Sequence, residues 1–358
     1  MLRPLALASA LLLASCAGGP LAPLVELTPG ETPTAELGEL DSVRYVIHVS
    51  IDGLRPDAVE RLPLDAVPAF TRLRREGVWT HNARTDADVR KTLPNHTTQL
   101  TGRPVRGDAG HGWTVNVTPP PRTTLHSNRR AYVASVFDVV HDAGRGTSAY
   151  VSKPKFVLFE RSYDARHGAP DTTGADDGRA KIDRFVFERD TDGLTERLAY
   201  HAQLRPSAYT FLHVRDPDGQ GHVHGWSLRA GSRYLRAVQA ADARLGRLFE
   251  LVETDPRLRG RTALVVTADH GGSGRNHFAE KPEHYTIPFY VWGPGIAPGD
   301  LYARNPDRAD PGTENPGRDA EPPPIRNGDA ANLALSLLGL EPVPGSTIGR
   351  DPLRVSER

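Results

Sequence analysis

Three short stretches of the chain are apolar at nearly every position, and each runs into an aspartate. Tyr45–Ile51 stops at Asp52, Ala208–Val214 at Asp216 and Asp218, and Ala263–Thr267 at Asp269. A strand that is β-branched without polar alternation must be buried on both faces, as in the middle of a parallel sheet covered by helices. A fourth run, Ile287–Trp292, closes at Gly293-Pro294-Gly295. Helical spacing appears over Ala66–Glu76, Ala131–Ala143, Arg233–Glu253 and Ala330–Leu338. In the third of these Leu235, Val238, Ala241, Leu245, Leu248, Phe249 and Val252 share one face. Strands alternating with helices imply an α/β fold, a mostly parallel central sheet flanked by helices on both faces. Such sheets bind ligands outside the carboxyl ends of their strands, so the three aspartates are expected to line one crevice.

Composition narrows the classes of function. The chain has 358 residues, 38% apolar and 25% charged, enough for a sizeable core. Its formal net charge is zero, so no basic field would draw nucleic acid, and no nucleic-acid binding is expected. The one cysteine, Cys16, rules out an internal disulfide. It also ends a leader: Met1-Leu2-Arg3, an apolar run from Leu5 to Leu13, then Leu13-Ala14-Ser15-Cys16. The run is too short to cross a bilayer and has the form of a secretory signal, with an ending that resembles a bacterial lipoprotein lipobox. The expectation is an exported protein, lipidated at Cys16 and anchored to the outer membrane of a Gram-negative host. Residues 17–42, rich in Gly, Pro, Thr and Glu, read as a flexible tether. Residues 43–350 would form the α/β domain, 156–193 a polar cap or insertion beside the site, and 351–358 a tail.

The chemistry is carried by four short segments. Lys91-Thr92-Leu93-Pro94-Asn95 reads as a turn that presents a hydroxyl nucleophile, with an amide three residues on. A threonine hydroxyl is a weak nucleophile and needs a base or a metal. Asp218-Gly219-Gln220-Gly221-His222 puts a carboxylate and an imidazole four apart across a Gly-rich turn, and Asp269-His270 puts them adjacent. His277 follows in Gly274-Arg275-Asn276-His277, with His284 seven residues later as its rival. Carboxylate and imidazole without thiolate suit zinc, or manganese. Three aspartate-terminated strands with histidines nearby are too many to be turn caps. They are what phosphoryl transfer needs, because two cations can neutralise both attacking and leaving oxygens.

With Ile51-Asp52-Gly53, Thr92-Leu93-Pro94-Asn95, Asp218-x-x-Gly221-His222-x-x-Gly225 and Asp269-His270-Gly271-Gly272 in place, the chain resembles the alkaline phosphatase superfamily. Within it, the chain is most similar to the type I phosphodiesterase/nucleotide pyrophosphatase branch. The resemblance implies two divalent ions, zinc favoured. Asp52, Thr92, Asp269 and His270 would hold one of them, and Asp218, His222 and His277 the other. It implies that Thr92 attacks phosphorus, that Asn95 donates its amide to a phosphoryl oxygen, and that water then hydrolyses a phosphothreonine. The substrate would be a small phosphate ester or nucleotide, diesters or pyrophosphates preferred. A monoesterase would want an Arg or Lys clamp on the non-bridging oxygens, and none of these motifs supplies one. A phosphonoacetate-type phosphonate hydrolase shares the threonine and much of the metal set. A sulfatase is disfavoured, because that branch needs Cys or Ser where Thr92 stands. A surface binding protein that had lost chemistry would be expected to have lost one of these residues as well.

Overall fold

The structure is a computed structural model that describes residues 42–356, apart from 167 and 172–178. Cys16, the leader and nearly all of the tether lie outside the described residues. No helix among the described residues is long and apolar enough to cross a membrane.

The strands are β1 Tyr45–Ile51, β2 Val78–Arg84, β3 Thr147–Val151, β4 Arg184–Phe187, β5 Tyr209–Val214, β6 Thr262–Thr267, β7 Thr286–Trp292 and β8 Gly299–Asp300. They form one sheet in the order β4-β3-β5-β1-β6-β7-β2-β8, in which β7 alone runs against its neighbours. The three aspartate-terminated runs are β5, β1 and β6, side by side at the centre, and their inward residues are fully buried. The parallel registers pair Ile51 with Val214 and Ser50 with Thr267, so the three strands end at one level.

The helices are α1 Pro56–Arg61, α2 Pro68–Glu76, α3 Thr92–Thr101, α4 Leu125–Arg129, α5 Val136–Asp142, α6 Val157–Tyr163, α7 Thr191–Leu204, α8 Asp216–His224, α9 Arg233–Thr254, α10 Pro282–Tyr285, α11 Leu301–Arg304 and α12 Asp329–Leu337. One layer is built on the long amphipathic α9, against which α2, α7 and α8 pack. The other is α3, α5 and α12. The sheet with helices on both faces is the fold the alternation implies.

Where the elements differ from the sequence reading, side-chain size and burial explain it. Strand β2 reads Val-Trp-Thr-His-Asn-Ala-Arg and is only partly buried, and the five-residue β3 reads Thr-Ser-Ala-Tyr-Val, so neither has a continuous apolar run to detect. The stretch 156–193 holds α6 and then edge strand β4, which pairs with β3. Asp218 to His222 lies on α8, a helix rather than a Gly-rich turn. Pro217 sits in its first turn, and Gly221 is needed because a Cβ there would come 2.3 Å from the Trp226 ring.

Candidate active site

Four adjacent parallel strands deliver their following residues to the same edge. In the order β3-β5-β1-β6 these are Lys153, Asp218, Asp52 and Asp269. Gly53, at φ +72°, makes the approach of β1 and α8 possible, since a Cβ there would lie 2.9 Å from the Asp218 Cα. Each carboxylate divides its oxygens in two. One is held from outside: Asp269 Oδ1 accepts from the Gly53 and His270 amides at 3.0 and 2.9 Å, and Asp52 Oδ2 and Asp218 Oδ2 both accept from Lys153 Nζ. The other, Asp52 Oδ1, Asp218 Oδ1 or Asp269 Oδ2, is buried with no hydrogen-bond partner among the described residues.

Those three unpartnered oxygens face imidazole Nε2 atoms. His270 Nε2 lies 3.2 Å from Asp269 Oδ2 and 3.6 Å from Asp52 Oδ1, and His222 and His277 Nε2 lie 3.2 and 3.9 Å from Asp218 Oδ1. The opposite nitrogen of each ring donates to a backbone carbonyl. His270 Nδ1 uses Gly271, His222 uses Arg275 and His277 uses Arg90, at 2.7 to 3.0 Å. A backbone acceptor at Nδ1 selects the tautomer with a lone pair on Nε2, the arrangement of a metal-ligating histidine. Burial pushes the His277 imidazole down to about 2, with His270 stacked beside it, and burial lowers His270 too, so both rings stay neutral. Burial and the neighbouring Asp52 charge push the Asp269 carboxyl well above the usual range. Asp52–Asp269–His270 and Asp218–His222–His277 are thus two triads with the donor types and spacing of divalent-cation sites. The residues fit the two ions that the sequence implies.

Thr92 is the first residue of α3, not a residue on a free turn, and its Oγ1 lies 3.4 Å from His270 Nε2. The helix is buried along its whole length. It tolerates this because its threonines satisfy themselves, Thr97 Oγ1 donating to the Leu93 carbonyl and Thr101 Oγ1 to that of Thr97. His96 donates from Nδ1 to the Thr92 carbonyl and meets Ser50 Oγ at Nε2, which clamps the first turn to β1.

Asn95 requires a correction. Its Nδ2 donates to the Val89 and Lys91 carbonyls, and its Oδ1 accepts from the Asp86 amide and Asn327 Nδ2. An amide with both hydrogens committed to the backbone has none left for a phosphoryl oxygen. Asn116 has the free one. Its Oδ1 accepts from the Leu93 amide at 2.9 Å and from Lys155 Nζ at 3.0 Å, and its Nδ2 has no partner among the described residues. It lies in the loop between α3 and α4, too far along the chain for spacing to link it to Thr92.

Lys153 and His213 also escaped the sequence reading. His213 Nε2 lies 2.9 Å from Asp52 Oδ2 and its Nδ1 2.9 Å from Ser152 Oγ, so it orients the carboxylate from within β5. Burial pushes Asp52 upward, but Lys153 and His213 outweigh it and hold the carboxyl well below its usual range. The available signal was Tyr150-Val151-Ser152-Lys153, a short β-prone run ending in a charge. His284 stands apart, with Nε2 2.7 Å from Ser273 Oγ, and Asp216 serves Thr191 and Arg244.

Comparison with known proteins gives the family and the fold. The family model described as type I phosphodiesterase/nucleotide pyrophosphatase matches residues 46–285. The GPI ethanolamine phosphate transferase 1 of Chaetomium globosum is 30% identical over 234 residues, 61% of this chain and 24% of that protein. The chain thus spans about a quarter of the length of that curated relative. Murine ectonucleotide pyrophosphatase/phosphodiesterase 5, solved as an inactive variant in complex with AMP, superposes with a TM-score of 0.57 at 16% identity. That match covers 87% of this chain and 100% of the other. A protein of the alkaline phosphatase superfamily from Vibrio parahaemolyticus gives 0.56 at 16% identity, covering 89% of this chain and 72% of the other. At such identities these structures show a common fold.

Proposed function

Because the chain belongs to the type I phosphodiesterase/nucleotide pyrophosphatase family, a family of phosphoester-acting enzymes, we propose that it hydrolyses phosphate esters through a phosphothreonine at Thr92. The observation that carries the proposal is the set of three unpartnered carboxylate oxygens facing three Nε2 lone pairs beside the Thr92 hydroxyl. Two divalent ions, zinc favoured by the imidazole content, would be held by Asp52, Asp269, His270 and Thr92, and by Asp218, His222 and His277; they would supply Lewis acidity and a deprotonated Thr92 near neutral pH.

The remaining steps belong to the chain's own residues. Thr92 Oγ1 forms a bond to phosphorus as the bond to the leaving oxygen breaks, and that oxygen keeps the electron pair and takes up a proton. Water then attacks the same phosphorus, and the Oγ1–P bond breaks to return the threonine. His96 holds the Thr92 carbonyl so that Oγ1 stays aligned. Asn116 Nδ2 is the neutral donor placed to meet a non-bridging oxygen as charge builds on it. Acid-quenched single turnover with peptide mass mapping tests this. A phosphoryl adduct on the Thr92 peptide is expected, and Thr92→Ala should remove both adduct and turnover while two ions remain bound. Near-native turnover in that variant would remove the nucleophile from the scheme.

The kinship to GPI ethanolamine phosphate transferase supports a second reading, in which the group on Thr92 passes to an alcohol instead of water. Product analysis with added ethanolamine or glycerol separates the two, since transfer would divert phosphate into a new ester. We also propose export and lipid anchoring at Cys16, on the leader sequence alone. Loss of detergent-phase partitioning in Cys16→Ser is the expected result.

A further inference from the structure

We infer that the open edge of the sheet at β4 is a self-pairing surface whose partner is a second copy of this chain. The inference is independent of the hydrolase reading.

Strand β4 ends the sheet, and among the described residues its one strand neighbour is β3. An edge strand presents unpaired amides and carbonyls, a template for another strand unless something blunts it. The pairing with β3 decides which groups are free. The Glu188 amide donates to the Val151 carbonyl, so by alternation Arg184 and Val186 also turn their backbone groups toward β3. Phe185 and Phe187 turn theirs away from the sheet.

The side chains along this edge match their own reverse. The segment reads Asp183-Arg184-Phe185-Val186-Phe187-Glu188-Arg189. Laid antiparallel on itself about a two-fold axis at Val186, it sets Asp183 against the partner's Arg189 and Arg184 against the partner's Glu188. Phe185 meets the partner's Phe187, and Val186 meets the partner's Val186. Every pair is opposite in charge or apolar on apolar, the combinations that stabilise a sheet. The backbone agrees, because Phe185 and Phe187 are the residues whose outward groups this register joins. Sliding one copy by two residues keeps the outward groups matched but sets Asp183 against Phe187, or Phe185 against Arg189, so the charges select one register. A patch that fits itself under a two-fold is what an isologous dimer requires.

The flank of the edge suits the same partner. Phe187 is 45% exposed, and Tyr200 and Leu204, one turn apart on α7, are each 60% exposed. Helix α7 is fastened to this edge by Arg197 on Glu188 at 2.7 Å and by His201 against Tyr150 of β3 at 3.0 Å. Arg197, Tyr200 and Leu204 share one face of α7, so an apolar stripe borders the open edge and the two-fold brings two such stripes together. Asp183 and Glu188 are held by Thr147 and Arg197 of their own chain, while Arg189 is exposed with no partner among the described residues. In this register Arg189 gains one. Because the strands pair antiparallel, the carboxyl edges of the two sheets face opposite directions and neither covers the other's site.

Sedimentation equilibrium of the purified full-length protein in a density-matched detergent tests this. Wild type should show a concentration-dependent mass of two chains. Phe187→Pro removes an outward amide and an exposed ring at an edge position that tolerates proline, and should leave a monomer folded by circular dichroism. Arg184→Glu sets like charges opposite each other on both sides of the axis and should weaken association by about 10- to 100-fold. Adding Glu188→Arg exchanges the signs and should recover most of that loss, which a change in local packing would not. Val186→Cys places two thiols at the axis, and mild oxidation should join two chains through position 186. Should Arg184→Glu fold poorly, Phe187→Pro and Val186→Cys decide. A wild type that stays monomeric at its highest soluble concentration overturns the inference. So does a dimer that Phe187→Pro and Arg184→Glu leave intact, or the absence of a cross-link at position 186.

Discussion

The two triads are chemically alike and structurally different. Asp52, Asp269 and His270 are fully buried, sit at the ends of neighbouring strands β1 and β6, and include an aspartate pinned by two backbone amides. Asp218, His222 and His277 come from one turn of α8 and from the loop after β6, and the His222 side chain is 39% exposed. Thr92 Oγ1 lies beside the first triad, 3.4 Å from His270 Nε2. Strand ends in register give a rigid, dry cradle, whereas a helix surface and a loop give one open to water. With ions bound as proposed, the buried triad would position the nucleophile, and the second, open to solvent at His222 alone, would exchange its ion more readily.

The sharpest way to break this comparison is to remove one imidazole from each triad. His270→Ala should cost about 10³-fold or more in kcat, because the nucleophile loses its ion. His222→Ala should cost about 10- to 100-fold, much of it recovered at high zinc. Equal losses, neither rescued by zinc, would erase the distinction. Next in size, timed chelation of the wild type should release one ion per chain quickly and the second slowly, and His222→Ala should lack the fast phase; simultaneous release would count against it.

A smaller effect is expected from His213→Gln. Asp52 keeps its burial and Lys153 but loses one orienting partner. A fall of about 10-fold in kcat with KM nearly unchanged would mark a positioning role; loss of folding stability without that split would make His213 a packing residue.

The smallest effect lies away from both triads, at His48 on β1, where burial pushes the imidazole down to about 3 from an ordinary 6.5. The folded-state value lies below the unfolded one, so the neutral ring's contribution is complete above pH 6.5 and is lost progressively as pH falls toward 3. In the metal-free protein, His48→Gln should flatten the acid side of the urea-midpoint profile at about 1.4 kcal/mol per pH unit at most. An unchanged slope would mean that His48 finds a proton acceptor on acidification.

The readable part of this protein was whatever two or three neighbouring residues settle. Continuous β-branched runs announced the central strands, because no other setting tolerates so little polarity. Asp52, Asp218 and Asp269 were legible because each closes such a run, and His222 and His270 because each lies one helical turn or one bond from its aspartate. His277 and Thr92 rested on motif resemblance. Local pattern misled where two meanings share one spelling. Asp-Gly-Gln-Gly-His reads as a turn, yet forms a helix because Gly221 and Trp226 pack together. Asn95, three residues after Thr92, is the donor that proximity suggests, yet its amide is consumed by the backbone around it.

Tertiary structure decided everything that depends on parallel register. Lys153 has only the short β-prone run before it as a local signal, and Lys155, Asn116 and His213 have none, since solvated lysines and loop asparagines look the same in sequence. What selects them is that β3 lies beside β5 and ends at its level, which brings an ammonium from one crossover onto carboxylates from two others. A single sequence fixes the metal-ligand types through their chemistry; which cations and amides face the substrate follows from strand order, which only the packing of the sheet sets.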